Sequence, residues 1–388
     1  MTTAFKTRNV PMGRAAVNSR REPDGVIYVE CQEPLGPYPR KMTERIDHWA
    51  EHTPDRTFMA ECAPGGEWRR LTYKDARALA RNIGQALLDR GLSQERPLAI
   101  LSGNDLEHAL LGLAAMYAGV AYAPISTAYS LVSTDFGKLR HILKLLNPGL
   151  VFAAIGKQYE RAIRAVVPEN VEIVSTSDPI RDATMFSRLV ETKAGSKLDE
   201  AHRNVTPDTI IRILFTSGST GIPKGVINTQ RMWCSNQEMI RNRLAFLAEG
   251  PPILLDWTPW NHTFGGSHDI GLVMYNGGTL YIDDGKPTPQ LFARTIENLR
   301  EIATTFYLNC RSAGDMRTLF TKLLQDFAKT STGSSNRILS GILLDEQPSI
   351  DAHEITDKGS LNQRAILENR RSLVEELYTP SARAIVLA

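Results

Sequence analysis

Cysteine is scarce in the 388-residue chain: Cys31, Cys62, Cys234 and Cys310 stand far apart, with no C-x-x-C pair. That spacing excludes a disulfide framework and a thiolate zinc site, and it predicts the reduced thiols of a cytoplasmic protein. The eight histidines form no H-E-x-x-H or comparable ligand pattern. Charge of one sign is also missing. The 45 Lys and Arg against 43 Asp and Glu leave a net +2, which offers no basic surface for nucleic acid. The chain has no internal repeat and no low-complexity tract. It has no unbroken apolar run of membrane-spanning length either. The nearest, Ala109 to Ile125, is uncharged but interrupted by Gly119 and Pro124. ALLGLAAMYA has a helical composition and VAYAPI alternates, which predicts a buried helix followed by a buried strand. Acid is missing before Glu22, in a segment holding Lys6, Arg8, Arg14, Arg20 and Arg21. With no apolar h-region or cleavage pattern, residues 1–25 are expected to be a flexible tail rather than a targeting segment.

What the sequence does have is the composition of a globular protein, 42% hydrophobic and 23% charged, and a length that suggests about two or three domains. From Tyr38 to about Tyr307 it alternates between helix and strand patterns. Leu71 to Leu92 reads as a helix whose apolar residues Ala76, Leu79, Ile83, Leu87 and Leu88 fall mostly three or four apart, with Gly91 as its stop. RPLAILSGND (Arg96 to Asp105) reads as a strand and turn. HILKLLNPGLVFAAI (His141 to Ile155) reads as helix, NPG break and strand. TIIRILFTSGST (Thr209 to Thr220) reads as a strand entering a glycine-rich loop. Such alternation predicts an α/β protein with mostly parallel sheets and flanking helices. Near Asn309 the pattern changes. A helix is expected over Met316 to Thr330, a strand then loop over Gly341 to Asp351, and one helix over Asn362 to Tyr378. The expected division is therefore a tail (1–25), an incomplete α/β domain (26–309) and a truncated α+β segment (310–388).

The loop FTSGSTGIPKG (Phe215 to Gly225) carries the chemistry. Glycines let a backbone turn present its N–H groups in one direction. Several such groups, joined by hydroxyls, form an anion cradle. Thr216, Ser217, Ser219 and Thr220 supply the hydroxyls and Lys224 a mobile positive charge, so phosphate is the natural guest. It is no Walker P-loop, because Gly225 and not Ser or Thr follows Lys224. That disfavours a kinase or P-loop ATPase.

FTSGSTGIPKG resembles the signature phosphate loop of the adenylate-forming (AMP-binding) superfamily. LTYKDA (Leu71 to Ala76), MYAGVAYAPIS (Met116 to Ser126) and DWTPWNHTFGG (Asp256 to Gly266) resemble companion motifs in the right order. PLGPYPR, YNGGTLYIDDGKP and LLDEQPSIDAHEITDKGSLNQRAIL look most like the feruloyl-CoA synthetase branch. The resemblance implies a carboxylate–CoA ligase that converts an aryl or hydroxycinnamic acid to an acyl-adenylate with ATP and then transfers it to CoA. It places the ATP phosphates on Thr216, Ser217, Gly218, Ser219, Thr220, Gly221 and Lys224, and Mg²⁺ on those phosphates with Thr220 as protein ligand. His262 would stand in the acyl pocket, walled by Trp257, Trp260 and Phe264. Lys358, in EITDKGS, would be the C-terminal catalytic lysine, bridging the attacking carboxylate and the α-phosphate.

Two superfamily elements are missing between Asn276 and Lys358: the Tyr-Gly-x-Thr-Glu segment and the Thr-Gly-Asp ribose grip. SAGDMR comes nearest, but Asp315 there reads as a helix cap. An internal deletion near Asn309 is the simplest account. It would leave unpaired strand edges and exposed apolar faces. The alternative expectation is accordingly an inactive or unstable remnant that at most binds phosphate.

Overall fold

The structure is a computed structural model that describes residues 11–14, 16–63, 67–216, 222–283, 340–342, 348–356, 361–376 and 384–386. An exposed antiparallel hairpin, β1 (Val17–Arg21) and β2 (Ile27–Cys31), comes first. Strand pairing thus begins inside the stretch expected as a tail, and residue 25 lies in the hairpin's turn. Next come α1 (Thr43–His52), β3 (Thr57–Cys62), β4 (Trp68–Thr72), α2 (Tyr73–Asp89), β5 (Leu98–Ile100), α3 (Leu106–Ala118) and β6 (Tyr122–Pro124). They are followed by α4 (Ala128–Leu131), α5 (Gly137–Leu146), β7 (Leu150–Phe152), α6 (Gly156–Val166), β8 (Glu172–Ser175), β9 (Thr184–Met185), α7 (Phe186–Val190) and α8 (Ser196–Asn204). Then come β10 (Ile210–Thr216), β11 (Lys224–Thr229), α9 (Gln230–Arg243), β12 (Ile253–Asp256), α10 (Ile270–Asn276) and β13 (Thr279–Ile282). The C-terminal part contributes β14 (Ser340–Ile342), α11 (Gln363–Asn369), α12 (Arg371–Glu376) and β15 (Ala384–Val386).

Among the described residues the larger sheet runs β11-β10-β6-β5-β7-β8-β9 and the smaller one β12-β13-β3-β4. Pairing is parallel except for β10–β11 and β3–β4. This is the expected α/β architecture of mostly parallel sheets with flanking helices. Its central strands are apolar on both faces because both faces are covered. Leu98, Ile100, Leu150 and Phe152 point into one core, shared with α2, α3 and the smaller sheet. Their neighbours Ala99, Leu101, Val151 and Ala153 point into a second core under α5 and α6.

Local chemistry sets the boundaries. α2 starts where the Thr72 hydroxyl accepts from the Asp75 N–H, and Leu71 and Thr72 belong to β4 rather than to the helix. α3 is capped by Asp105 and stopped by Gly119, whose φ of 67° favours a residue without a side chain. Ala109 to Ile125 is thus the expected buried helix and strand, and among the described residues no helix is long and apolar enough to cross a membrane. The segment expected as one helix from Asn362 is two, α11 and α12, with Arg370 between them. There the Arg370 guanidinium turns to the Glu354 carboxylate at 2.7 Å. The helix expected over Met316 to Thr330 lies outside the described residues.

Candidate active site

Parallel strands aim their carboxyl ends at one edge of a sheet, and ligands of α/β proteins gather outside that edge. Here both sheets open onto a shared cleft of about 450 Å³. Ser102 and Asn104 follow β5, Thr127 follows β6 and Ile155 follows β7; Trp257 follows β12 and Asp283 follows β13. Asn104 holds the two sides together: its amide donates to the Thr258 carbonyl at 2.8 Å, and its oxygen accepts from the Trp260 N–H at 3.1 Å.

The glycine–hydroxyl loop leaves the same edge, from the end of β10. Downstream of it the chain returns as β11, antiparallel to β10, a strand the sequence did not reveal, and α9 then starts at Gln230. Thr216 and Lys224 are therefore register partners at the mouth of a hairpin. Lys224 is exposed, and so are Val226 and Ile227 on this edge strand, at 47% and 50%. Ser217, Gly218, Ser219, Thr220 and Gly221 lie outside the described residues.

Beside the loop, Ile222 and Pro223 line a second cleft of about 250 Å³ with Lys138, His141, Asp351 and His353. The His141 ring meets the Pro223 carbonyl at 3.1 Å. The C-terminal segment is moored here through Asp351, which accepts from the Ser133 hydroxyl at 2.6 Å and the Thr134 N–H at 2.8 Å. Burial would raise the Asp351 carboxyl, but these hydrogen bonds hold it below the usual range. Lys138 adds a bond to the Ile350 carbonyl at 2.5 Å. Glu354 is buried and paired with Arg370, which holds its carboxyl down at about 2. Lys358 lies outside the described residues, between Ile355 and Leu361, which form a β-bridge.

The histidine motif folds as a turn after β12. Phe264–Asp269 winds as a π-helix, and glycines allow it. A Cβ on Gly265 would stand 2.5 Å from the Thr258 carbonyl oxygen, and one on Gly266 2.2 Å from that of Trp260. His262 is half-buried, and its carbonyl accepts from the Gly266 N–H at 2.8 Å. The structure does not gather the three expected aromatics into one wall. Trp257 and Trp260 line the inter-sheet cleft, but Trp260 is mostly core, bonded to Asp256 at 3.0 Å and edge-on to His108. Phe264 stands 54% exposed, stacked on His268 at 4.9 Å.

Beneath the turn is a polar cluster that sequence reasoning missed. The Thr258 hydroxyl lies between Asp256 and Asp269, 2.7 Å from the latter. One hydroxyl proton serves only one of two carboxylates. Burial pushes the Asp256 carboxyl up to about 6, against the Thr258 and Trp260 hydrogen bonds, and the Asp269 charge adds to the rise. Asp269 also meets Nδ1 of His268 at 2.8 Å. The adjacent His268 and Asp269 in the sequence were the available signal. Among the described residues no group of three or more His, Cys, Asp or Glu side chains is poised to hold a metal ion.

Comparison with known proteins agrees with this architecture. The chain is 24% identical over 225 residues to an acyl-CoA ligase, sidI, of Beauveria bassiana, covering 56% of this chain and 37% of that one. It is 28% identical over 215 residues to the D-alanine–D-alanyl carrier protein ligase of Listeria welshimeri, covering 54% and 38%. The chain thus spans less than half the length of either relative. A solved structure from Rhodopseudomonas palustris, described as a long-chain-fatty-acid CoA ligase, shares the fold with a TM-score of 0.56 at 21% identity, over 66% of this chain and 60% of that one. The family described as AMP-binding enzyme matches residues 46–338, and the chain belongs to it.

Proposed function

We propose that the protein is an ATP-dependent carboxylate–CoA ligase, and that its acid is aromatic, of the feruloyl type. The reading rests on one observation. Ile222 and Pro223, the flank of the glycine–hydroxyl loop, share a cleft with Asp351 and His353, which precede Lys358 by seven and five residues. The described flanks of the two segments whose chemistry must meet thus line one cavity, which supports the reading. A cytoplasmic location belongs to the same reading.

In this mechanism the loop from Thr216 to Lys224 receives the β- and γ-phosphates, its N–H groups and hydroxyls donating and the lysine adding charge. A carboxylate oxygen attacks the α-phosphorus, the bond to pyrophosphate breaks, and its electron pair leaves with pyrophosphate. Lys358 bridges the incoming oxygen and the α-phosphate, where negative charge accumulates. The thiol of CoA then loses its proton to solvent, its sulfur attacks the acyl carbon, and the bond from that carbon to the phosphate oxygen breaks, its electron pair leaving with AMP. His262 and Trp257 fix the acid's orientation. The described residues do not by themselves build a Mg²⁺ site. Thr220 is the protein ligand proposed for Mg²⁺, which would be held otherwise by ATP phosphate oxygens and water and would offset phosphate charge there.

ATP–pyrophosphate exchange tests the proposal: a folded protein should exchange label in the presence of ferulate, and Lys224→Ala should abolish it. A cooperative melt without exchange would end the reading. A second reading, a remnant without activity, is favoured by the missing Tyr-Gly-x-Thr-Glu and Thr-Gly-Asp elements. Calorimetry of ATP binding together with a thermal melt separates the two: no binding and no cooperative melt favour the remnant.

A further inference from the structure

IIRILF is an apolar strand apart from Arg212, and Arg212 is 1% exposed. Among the described residues it forms no ion pair; burial pushes its guanidinium down. A buried cation without a carboxylate is costly, and a position needing only bulk would hold an apolar residue. The guanidinium donates through Nη1 to the Gly266 carbonyl and through Nη2 to the Ser267 hydroxyl, the latter at 2.6 Å. It also lies 4.0 Å from the centre of the Trp233 ring. Two side chains of α9 close on the same place: Trp233 and Gln237 both donate to the Ser267 carbonyl, at 2.8 and 2.9 Å. A π-helical turn is intrinsically weak, and here side chains from β10 and α9 pin it.

We infer that Arg212 is a positioning residue. Its forked guanidinium fixes the Phe264–Asp269 turn, and so His262 and His268, relative to the strand that ends in the phosphate loop. Four residues along β10 from Arg212 is Thr216, where that loop begins. One side chain thus sets the distance between the phosphate cradle and the turn assigned to the acid. The fork matters: a guanidinium serves two acceptors and stacks on an indole, whereas an ammonium is a point charge. The inference rests on the proposed reading of the turn as the acid's side of the site.

Arg212→Met and Arg212→Lys, made in the full chain, test it. Hydrogen exchange read on peptides covering residues 262–270 should speed up by about 10-fold or more in both variants, while β5 and β7 keep their protection. In pyrophosphate exchange, KM for the acid should rise by about 10-fold or more, with KM for ATP changed less than about 2-fold. Unchanged amide exchange in Arg212→Met, or a Lys variant indistinguishable from wild type, would overturn the inference. So would equal rises in both KM values, which mark a general structural defect. If the wild-type chain exchanges no pyrophosphate, the proposed function fails, and amide exchange still decides the role of Arg212.

Discussion

Gly266→Ala is a single-methyl probe of the turn beneath the candidate site. The new carbon would stand 2.2 Å from the Trp260 carbonyl oxygen and 3.2 Å from its carbon. Backbone is the obstacle, so no side-chain rotation relieves it, and the turn must open by about 1 Å to restore van der Waals contact. Overpacking of this kind costs about 1–3 kcal/mol. Opening the turn also strains the bond from Arg212 to the Gly266 carbonyl, and a buried bond from a charged donor is worth about 1.5–3 kcal/mol. Taking about 3 kcal/mol in all, and about 2.1 cal/mol/K per residue for unfolding, the melting midpoint should fall by about 4 °C if the whole chain melts together. Circular dichroism measures this, with Gly250→Ala as control because a Cβ there meets nothing within 4 Å. Indole fluorescence should change too, since the Trp233 indole donates to the Ser267 carbonyl and the Trp260 backbone lies against Gly266. A Gly266→Ala protein that melts within about 1 °C of the control, with unaltered fluorescence, would show that the turn is not packed as described.

Lys224→Ala should leave the melt unchanged, because the side chain is exposed, while pyrophosphate exchange falls by about 100-fold or more. Asp351→Ala should free the C-terminal segment from Ser133 and Thr134; limited proteolysis after residue 351 should accelerate, and exchange activity should fall with it. The Asp105 carboxyl is raised from 3.8 to about 8 by burial. Its native form therefore holds a proton that the unfolded chain releases, so its contribution to stability is intact below about pH 4 and declines as pH rises towards 8. Asp105→Asn keeps a good cap for α3 and removes the titration, so denaturant melts should show a flatter profile across that window and a higher midpoint at pH 8.

The fold was legible wherever one segment carried its own signal. Ala109 to Ile125 declared a helix and a strand through composition and Gly119, and the NPG break separated α5 from β7. β11 was not legible, because KGVINT is short and half of its definition is its partner, β10. The single helix expected from Asn362 failed for a long-range reason: Arg370 breaks it to reach Glu354, sixteen residues away. The site divides along the same line. The glycine–hydroxyl loop proposed to hold phosphate stood out in eleven consecutive residues, five of which, 217–221, lie outside the described residues. Arg212 was visible as an odd cation in an apolar strand, but its acceptors lie 54 and 55 residues further along the chain. The Asp256, Thr258 and Asp269 cluster exists only once the turn brings it together.

Strands buried on both sides carry a penalty that amphipathic ones escape. Where one face is wet, sliding a strand by a single residue drowns its polar side chains, and the error corrects itself. β5 and β7 present apolar residues to both cores, so polarity alone would hardly notice the slip. Registration must come from outside the ladder, and the Ser102 hydroxyl, which accepts from the Ala154 N–H at 2.6 Å, is placed to supply it. The same serine lines the inter-sheet cleft. Whatever fixes these strands in step also decides which residues surface at the rim, so alignment within the sheet and the shape of the cavity are one property of the molecule.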